Sequence, residues 1–308
     1  MMKLIKKILY FFLFFRFYNN YKDLALKDLN FKKLDFTNYK QIKSFIFKKN
    51  FVQLNNKYVQ NFDFLNFSKI LGGKIGINLS KESIISWHSV NKYKLGFPWN
   101  EDLGSRRLIN IIYNYEFINS SSTRLETKKL NRVIVEHMNR VMFDFKHKNF
   151  SEITSYDLLA NTLSLLILKK DYSKKKKILN VIIDQNIDNL GMHKSYNVLE
   201  HAKFLNNLKE LKNILLYFKI NKSKNIDEKI ILMTSILNEY FHLDGSFPLF
   251  HGSNNNYTKI IYESLNKKNT LNRDLIEIFR MVLLFFQAKI KNYFLMLFNQ
   301  IQKVYLII

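Results

Sequence analysis

Residues 123–145 read TRLETKKLNRVIVEHMNRVMFDF. Thr123 followed three residues later by Glu126 is a capping box. The hydroxyl accepts from the glutamate's backbone N–H and the carboxylate reaches back to the threonine's own, which satisfies two donors that every helix start leaves stranded. The pair predicts a long helix opening at Thr123 and running to about Phe145.

Similar blocks flank it on both sides. Upstream, FDFLNFSKILGG places Phe62, Leu65, Ile70 and Leu71 near one face and stops at Gly72-Gly73, a helix-ending signal. LSKESIISWHSV opens a helix after Ser80 and carries Trp87. EDLGSRRLINIIYNYEFI sets Leu103, Leu108, Ile111, Ile112 and Tyr115 in an apolar stripe with acids in the first turn. Downstream, helices are predicted over 155–170, 176–187, 199–218, 226–242 and 257–265. Starts spaced by roughly 20 to 30 residues suggest hairpin pairs, as in solenoids or α/α toroids. With 8 Gly and 2 Pro in 308 residues, the chain lacks the turns of a sandwich or barrel. The expected class is all-α, built from paired amphipathic helices.

Lys+Arg of 49 against Asp+Glu of 25 gives a formal charge of +24, a balance that suits a polyanionic partner. Only eight of the basic residues are Arg, and Lys, Asn and Ile abound, so an AT-rich coding sequence accounts for the charge equally well. Zero Cys excludes disulfides, thiolate metal sites and cysteine nucleophiles. At the N-terminus Lys3, Lys6 and Lys7 precede the apolar run 8–15, which is too short to span a bilayer and has no small-residue cleavage site after it. That segment reads as a basic amphipathic helix able to touch a membrane surface. No Gly-rich phosphate loop, nucleophile elbow, zinc helix or calcium loop occurs.

Three segments read as sites. KLGFPWNEDLGSRRLIN, 94–110, puts Trp99 near Arg106 and Arg107: the ring could stack on a sugar face while an Arg fork takes a carboxylate. The plainer alternative buries Trp99 in a staple and leaves both arginines solvated. In DNLGMHKSYNVLEHAKF, 188–204, His193, Ser195, Tyr196 and Asn197 fall on an interhelix loop and His201 inside the next helix, where a satisfied structural histidine is the alternative. FHLDGSFPLFHG, 241–252, with His242 and Asp244, is a short extended insert that either lines a groove or merely crosses between helices. None has the close spacing of a metal site, and no cofactor is implied.

In order, these segments resemble the N-terminal helical domain of the heparinase II/III-like polysaccharide lyases, an α/α toroid followed by a β-sandwich. PWNEDLGSRRLINIIYNYEFI is similar to the family's Trp segment and its Arg/Asn helix. IIDQNIDNLGMHKSYNVLEHAKFLNNLKELKNIL resembles its glutamine, Asp-Gly and Ser-loop element. FHLDGSFPLFHGSNNN resembles its segment of Asp-Gly, Leu-Phe and polar-Gly. The resemblance runs over about 62–256 and implies an incomplete toroid: a basic extension (1–60), the toroid domain (61–270), and a hydrophobic tail (271–308), acid-free after Glu277, that reads either as a final buried helix with a basic tip or as out-of-frame translation. No β-sandwich is expected after it.

The resemblance further implies a carbon–oxygen lyase that cleaves uronate-containing polysaccharide by β-elimination. A base removes the C5 proton, cationic or polar groups offset the uronate carboxylate, and an acid protonates the leaving oxygen. On this reading Tyr196 is the acid/base and His201 the carboxylate partner. Trp99, Arg106, Arg107, Asn161, His193, His242 and Asp244 bind substrate. The family's lyases carry a Tyr-His pair just after a Ser-Pro, whereas this chain has Ser195-Tyr196-Asn197 and its histidine at 201. A product of this form, lacking the sandwich and its catalytic histidine, is expected to be inactive or unstable. The expected partner is an acidic polysaccharide. Lysines without a concentrated stripe argue against nucleic acid, although a helical module holding nucleic acid or anionic lipid is the alternative. The family's setting is the cell envelope or periplasm, while the absence of a clear signal peptide leaves the cytoplasm open.

Overall fold

The computed structural model describes residues 56–240, except 95, 171 and 221–223, and the isolated positions 42, 46, 54, 247, 248, 261, 264 and 265. Among the described residues there is no strand, only one antiparallel bridge pair, Ile187 with His193. Ten α-helices make up this described part: α1 (Lys57–Gln60), α2 (Phe64–Leu71), α3 (Gly73–Asn91), α4 (Leu103–Tyr113), α5 (Tyr115–Asn119), α6 (Arg124–His147), α7 (Ser155–Ile167), α8 (Ser173–Asn186), α9 (Val198–Tyr217) and α10 (Lys224–Glu239). Single 3-10 turns lie at Phe97–Trp99 and Phe150–Glu152. The expected extension over 1–60 and the tail over 271–308 lie largely or wholly outside the described residues, as does the helix expected over 257–265 save for isolated positions.

The capping box forms as the sequence predicts. Thr123 Oγ1 accepts from Glu126 N–H at 3.3 Å and Glu126 Oε2 from Thr123 N–H at 2.7 Å. Thr154 and Asp157 repeat the device at α7, and the Asn197 side chain caps α9 through Glu200 N–H. One boundary differs from expectation. Gly72 and Gly73, at φ +65° and +52°, reverse the chain within two residues, and α3 begins at Gly73 rather than after Ser80. Gly76 then packs on α2 so closely that a Cβ would lie 2.1 Å from the Ser68 carbonyl oxygen.

Side-chain pairs fix the helix directions. α4 and the short α5 that continues it run antiparallel to α6, with Arg107 of α4 meeting His137 and Tyr115 of α5 meeting Asn131; α6 and α7 are antiparallel too, through Lys148–Asp157 and Lys170–Asn139. Hence α4 and α7 run the same way, and α2 joins them through Asp63–Asn110 and Asn66–Asn114. α9 opposes α10 through His201–Met233 and Lys212–Asp227. α3 and α6 are parallel by Lys81–Glu126 and His88–Glu136. Thus α2, α4 and α7 form a parallel row, which α9 continues by holding Ser155 through Asn207 and Tyr113 through Glu210, and α3, α6 and α10 pack against this row.

Composition explains the rows. Every residue of α7 but Tyr156 is buried, and every residue of α4 but Arg106. Helices buried nearly all round are covered on all sides, their polar groups paired within the core, and each fully buried Leu or Ile here is worth about 1.5–3 kcal/mol. The core runs continuously from Phe62 through Leu108, Ile134 and Leu163 to Leu205 and Met233.

Candidate functional site

The two residues that α4 and α7 leave out of the core meet. Arg106 Cζ lies 4.0 Å from the centroid of the Tyr156 ring. Its Nε donates to Asp102 Oδ2 at 2.8 Å, and among the described residues its two terminal nitrogens make no hydrogen bond, nor does the Tyr156 hydroxyl. Burial pulls the guanidinium toward neutrality, but Tyr156, Asp102 and Asp63 more than offset this and hold it above its ordinary value, so it is charged. Burial raises Tyr156, opposed by Arg106 and aided by Asp102, Asp63 and Glu200, so the phenol keeps its proton. The result is a fixed cation over a protonated phenol, with a fork of donors that no described residue takes up. That pair can grip one carboxylate and donate a further hydrogen bond beside it.

Arg107 goes the other way. Adjacent helical residues sit about 100° apart, so with Arg106 at the surface Arg107 enters the core. It is fully buried; its Nε donates to His137 Nε2 at 3.0 Å, its Nη2 to the Pro98 carbonyl at 2.9 Å and its Nη1 to the Gln60 carbonyl. The guanidinium stacks between Trp87, 3.7 Å from Cζ, and Trp99 at 4.5 Å, and Arg140 covers Trp99 at 3.7 Å. Trp99 is half-buried and its indole N–H donates to the Asn91 carbonyl at 3.0 Å. Trp99 and Arg107 therefore stand together in an internal joint that locks the Phe97–Trp99 turn onto α3, α4 and α6. Burial, then Arg107, His88 and Arg140, depress His137, which stays neutral.

The α8–α9 loop gathers His193, Ser195, Tyr196 and His201. Asp188 Oδ1 accepts from the N–H groups of Leu190 and Met192 at 3.0 and 2.8 Å, and Gly191, at φ +97°, packs against Leu232. His201 is fully buried. Its Nδ1 accepts from His193 N–H at 3.3 Å, so its Nε2 carries the proton that bonds the Met233 carbonyl at 2.8 Å. Burial lowers it, against the pull of that carbonyl. Both nitrogens thus serve the junction of loop, α9 and α10. His193 Nδ1 lies 2.8 Å from Ser195 Oγ, and burial, with His201, brings its pKa down to about 4. Tyr196 stands half-exposed at φ +51°.

Asn161 is buried inside α7, five residues from Tyr156 and on a different face. His242 and Asp244 lie outside the described residues. Sequence reasoning paired Trp99 with both arginines and missed Tyr156 and Asp102. The one signal for Tyr156 was an aromatic two residues after the Thr154 cap. No group of three His, Asp or Glu able to hold a metal ion occurs among the described residues. Comparison with family models, curated proteins and solved structures returns no match.

Proposed function

We propose that the chain is a heparinase II/III-like helical domain that holds a uronate-containing polysaccharide at the Arg106–Tyr156 notch, and that this form binds the polymer without cleaving it. The observation that carries the reading is the pairing itself: two otherwise buried inner helices each release one residue, and the two are stacked with donors that no described residue takes up. A row of inner helices backed by α3, α6 and α10 is what the first part of an α/α toroid would contain. Exposed aromatic residues at the same end, Tyr93, Phe97, Phe150 and Tyr196, suit the faces of neighbouring sugar units.

In the β-elimination that the family resemblance suggests, Arg106 would offset the uronate carboxylate, and Tyr156 or Tyr196 would stand near the C5 proton or the leaving oxygen. His201 has no nitrogen to spare for that chemistry, which favours binding over turnover. Calorimetric titration with polymers of glucuronate, iduronate, mannuronate and galacturonate tests the proposal. Arg106→Ala should weaken binding roughly 10- to 100-fold, the worth of a charge-assisted fork at about 1.5–3 kcal/mol, and Arg106→Lys should recover part of it. Equal affinity in wild type and Arg106→Ala, or no binding across the panel, would sink it. An unsaturated product absorbing in the ultraviolet would restore cleavage to the reading.

A further inference from the structure

We infer that the cleft between α5 and the start of α6 binds a small zwitterion, a free α-amino acid being the class that fits. The cleft encloses about 570 Å³, within the roughly 300–1,000 Å³ of small-molecule sites. Glu116 and Arg124 stand on its walls, both exposed. Among the described residues neither makes an ion pair or a hydrogen bond, and they do not pair with each other.

The rest of the lining is polar and held in place. Thr127 Oγ1 donates to Asn119 Oδ1 at 2.8 Å, which orients the Asn119 amide and leaves its Nδ2 hydrogens without an acceptor among the described residues. The Ser122 hydroxyl oxygen is buried and meets no hydrogen-bond partner there either, which costs free energy unless a ligand or solvent group answers it. Tyr115 commits its hydroxyl to Asn131 at 2.7 Å and so offers the cleft a fixed ring. Glu126, two residues past Arg124, is held by its capping box and faces Lys81 at 3.7 Å, so Glu116 is the acid on the cleft wall.

The signs choose the ligand. A plain anion would meet Glu116, a plain cation would meet Arg124, and a neutral sugar would give neither charge a counterpart. A molecule carrying both signs answers both: its carboxylate takes the Arg124 fork with the Ser122 hydroxyl and the Asn119 amide, and its ammonium takes Glu116. The volume exceeds what two charged ends on one carbon need. The remainder, beside the Tyr115 ring, receives a large side chain.

Saturation-transfer NMR and calorimetry of the full chain with the common L-amino acids test this. At least one amino acid with a large side chain should bind. Arg124→Gln and Glu116→Gln should each weaken it by about 10-fold or more, and Ser122→Ala should weaken it less. None of the three residues belongs to the core, so helicity and the urea midpoint should stay at wild-type values. Analogues that keep only one charge, such as phenylpropionate and phenethylamine for phenylalanine, should bind more weakly than the parent. No amino acid bound at millimolar concentration, or equal affinity in wild type and the two charge variants, would overturn the inference. So would a lone carboxylate, a lone amine or glucose bound as tightly as the amino acid. Arg106→Ala should leave amino-acid binding unchanged and Glu116→Gln should leave uronate binding unchanged, so the two sites stand or fall separately.

Discussion

Gly191 holds φ +97°, and a methyl group there would lie 2.8 Å from Leu232 Cβ and 2.9 Å from its carbonyl carbon. Gly191→Ala should therefore cost about 1–3 kcal/mol, seen as a lower urea midpoint at unchanged slope, because strain and a backbone clash act together. Arg107 is the larger test. Its removal strands the Gln60 and Pro98 carbonyls and His137 Nε2 and opens a gap between two indoles, so Arg107→Ala should destabilise by roughly 3–5 kcal/mol. Lysine should not rescue it, having neither the flat face nor the fork. At this scale the sequence was half legible. It showed two arginines beside a Pro-Trp turn, but which one faces solvent depends on where α6 and α7 lie, and nothing local to Arg106-Arg107 encodes that.

Among the elements, those whose stabilising partners sit within four residues were readable. Thr123 and Glu126 by themselves mark where α6 begins, and Thr123→Ala should lower stability by about 1 kcal/mol in a denaturant titration. Thr154→Ala tests a denser cap. Asp157 there also takes Ser105 Oγ and Lys148 Nζ at 2.8 Å, so losing the threonine loosens the meeting of α4, α6 and α7, and the cost should exceed that at Thr123 in the same assay. The start of α3 was not readable, since Gly72-Gly73 ordinarily ends a helix. Here the pair instead folds α3 back on α2 at once, because Gly76 lets it pass over Ser68 without a side chain between them. That contact joins two elements, and a one-dimensional pattern does not record it.

For the whole molecule, acid should be the sensitive condition. His137, His193 and His201 all have lowered pKa values in the folded chain, caused first by burial, with His193 at about 4. Unfolded histidine takes its proton near pH 6.5. Below that the unfolded chain binds more protons than the folded one, so stability is full above about pH 6.5 and falls as the pH drops toward about 4. Asp144 works the other way: burial raises it to about 6 against the pull of Arg140 and Lys148, giving back a share between about pH 6 and 4. Three histidines outweigh it, and urea midpoints at pH 7 and pH 5 should show the net loss. The all-helical class was legible at this scale because Gly and Pro are scarce and the blocks are amphipathic. The parallel inner row was not, since it rests on pairs such as Asn66–Asn114, 48 residues apart.

The joint around Arg107 also makes the chain its own local reporter. Trp87 and Trp99 are its only two tryptophans, and both belong to that one cluster, their rings 5.4 Å apart, beside His137 and two guanidinium groups. Intrinsic emission will therefore follow the seam of α3, α4 and α6 and stay blind to α9 and α10. Circular dichroism registers every helix. Should the α9–α10 pair come apart first, ellipticity would drop while emission held steady, and the order in which the two signals move would say which half of the protein gives way.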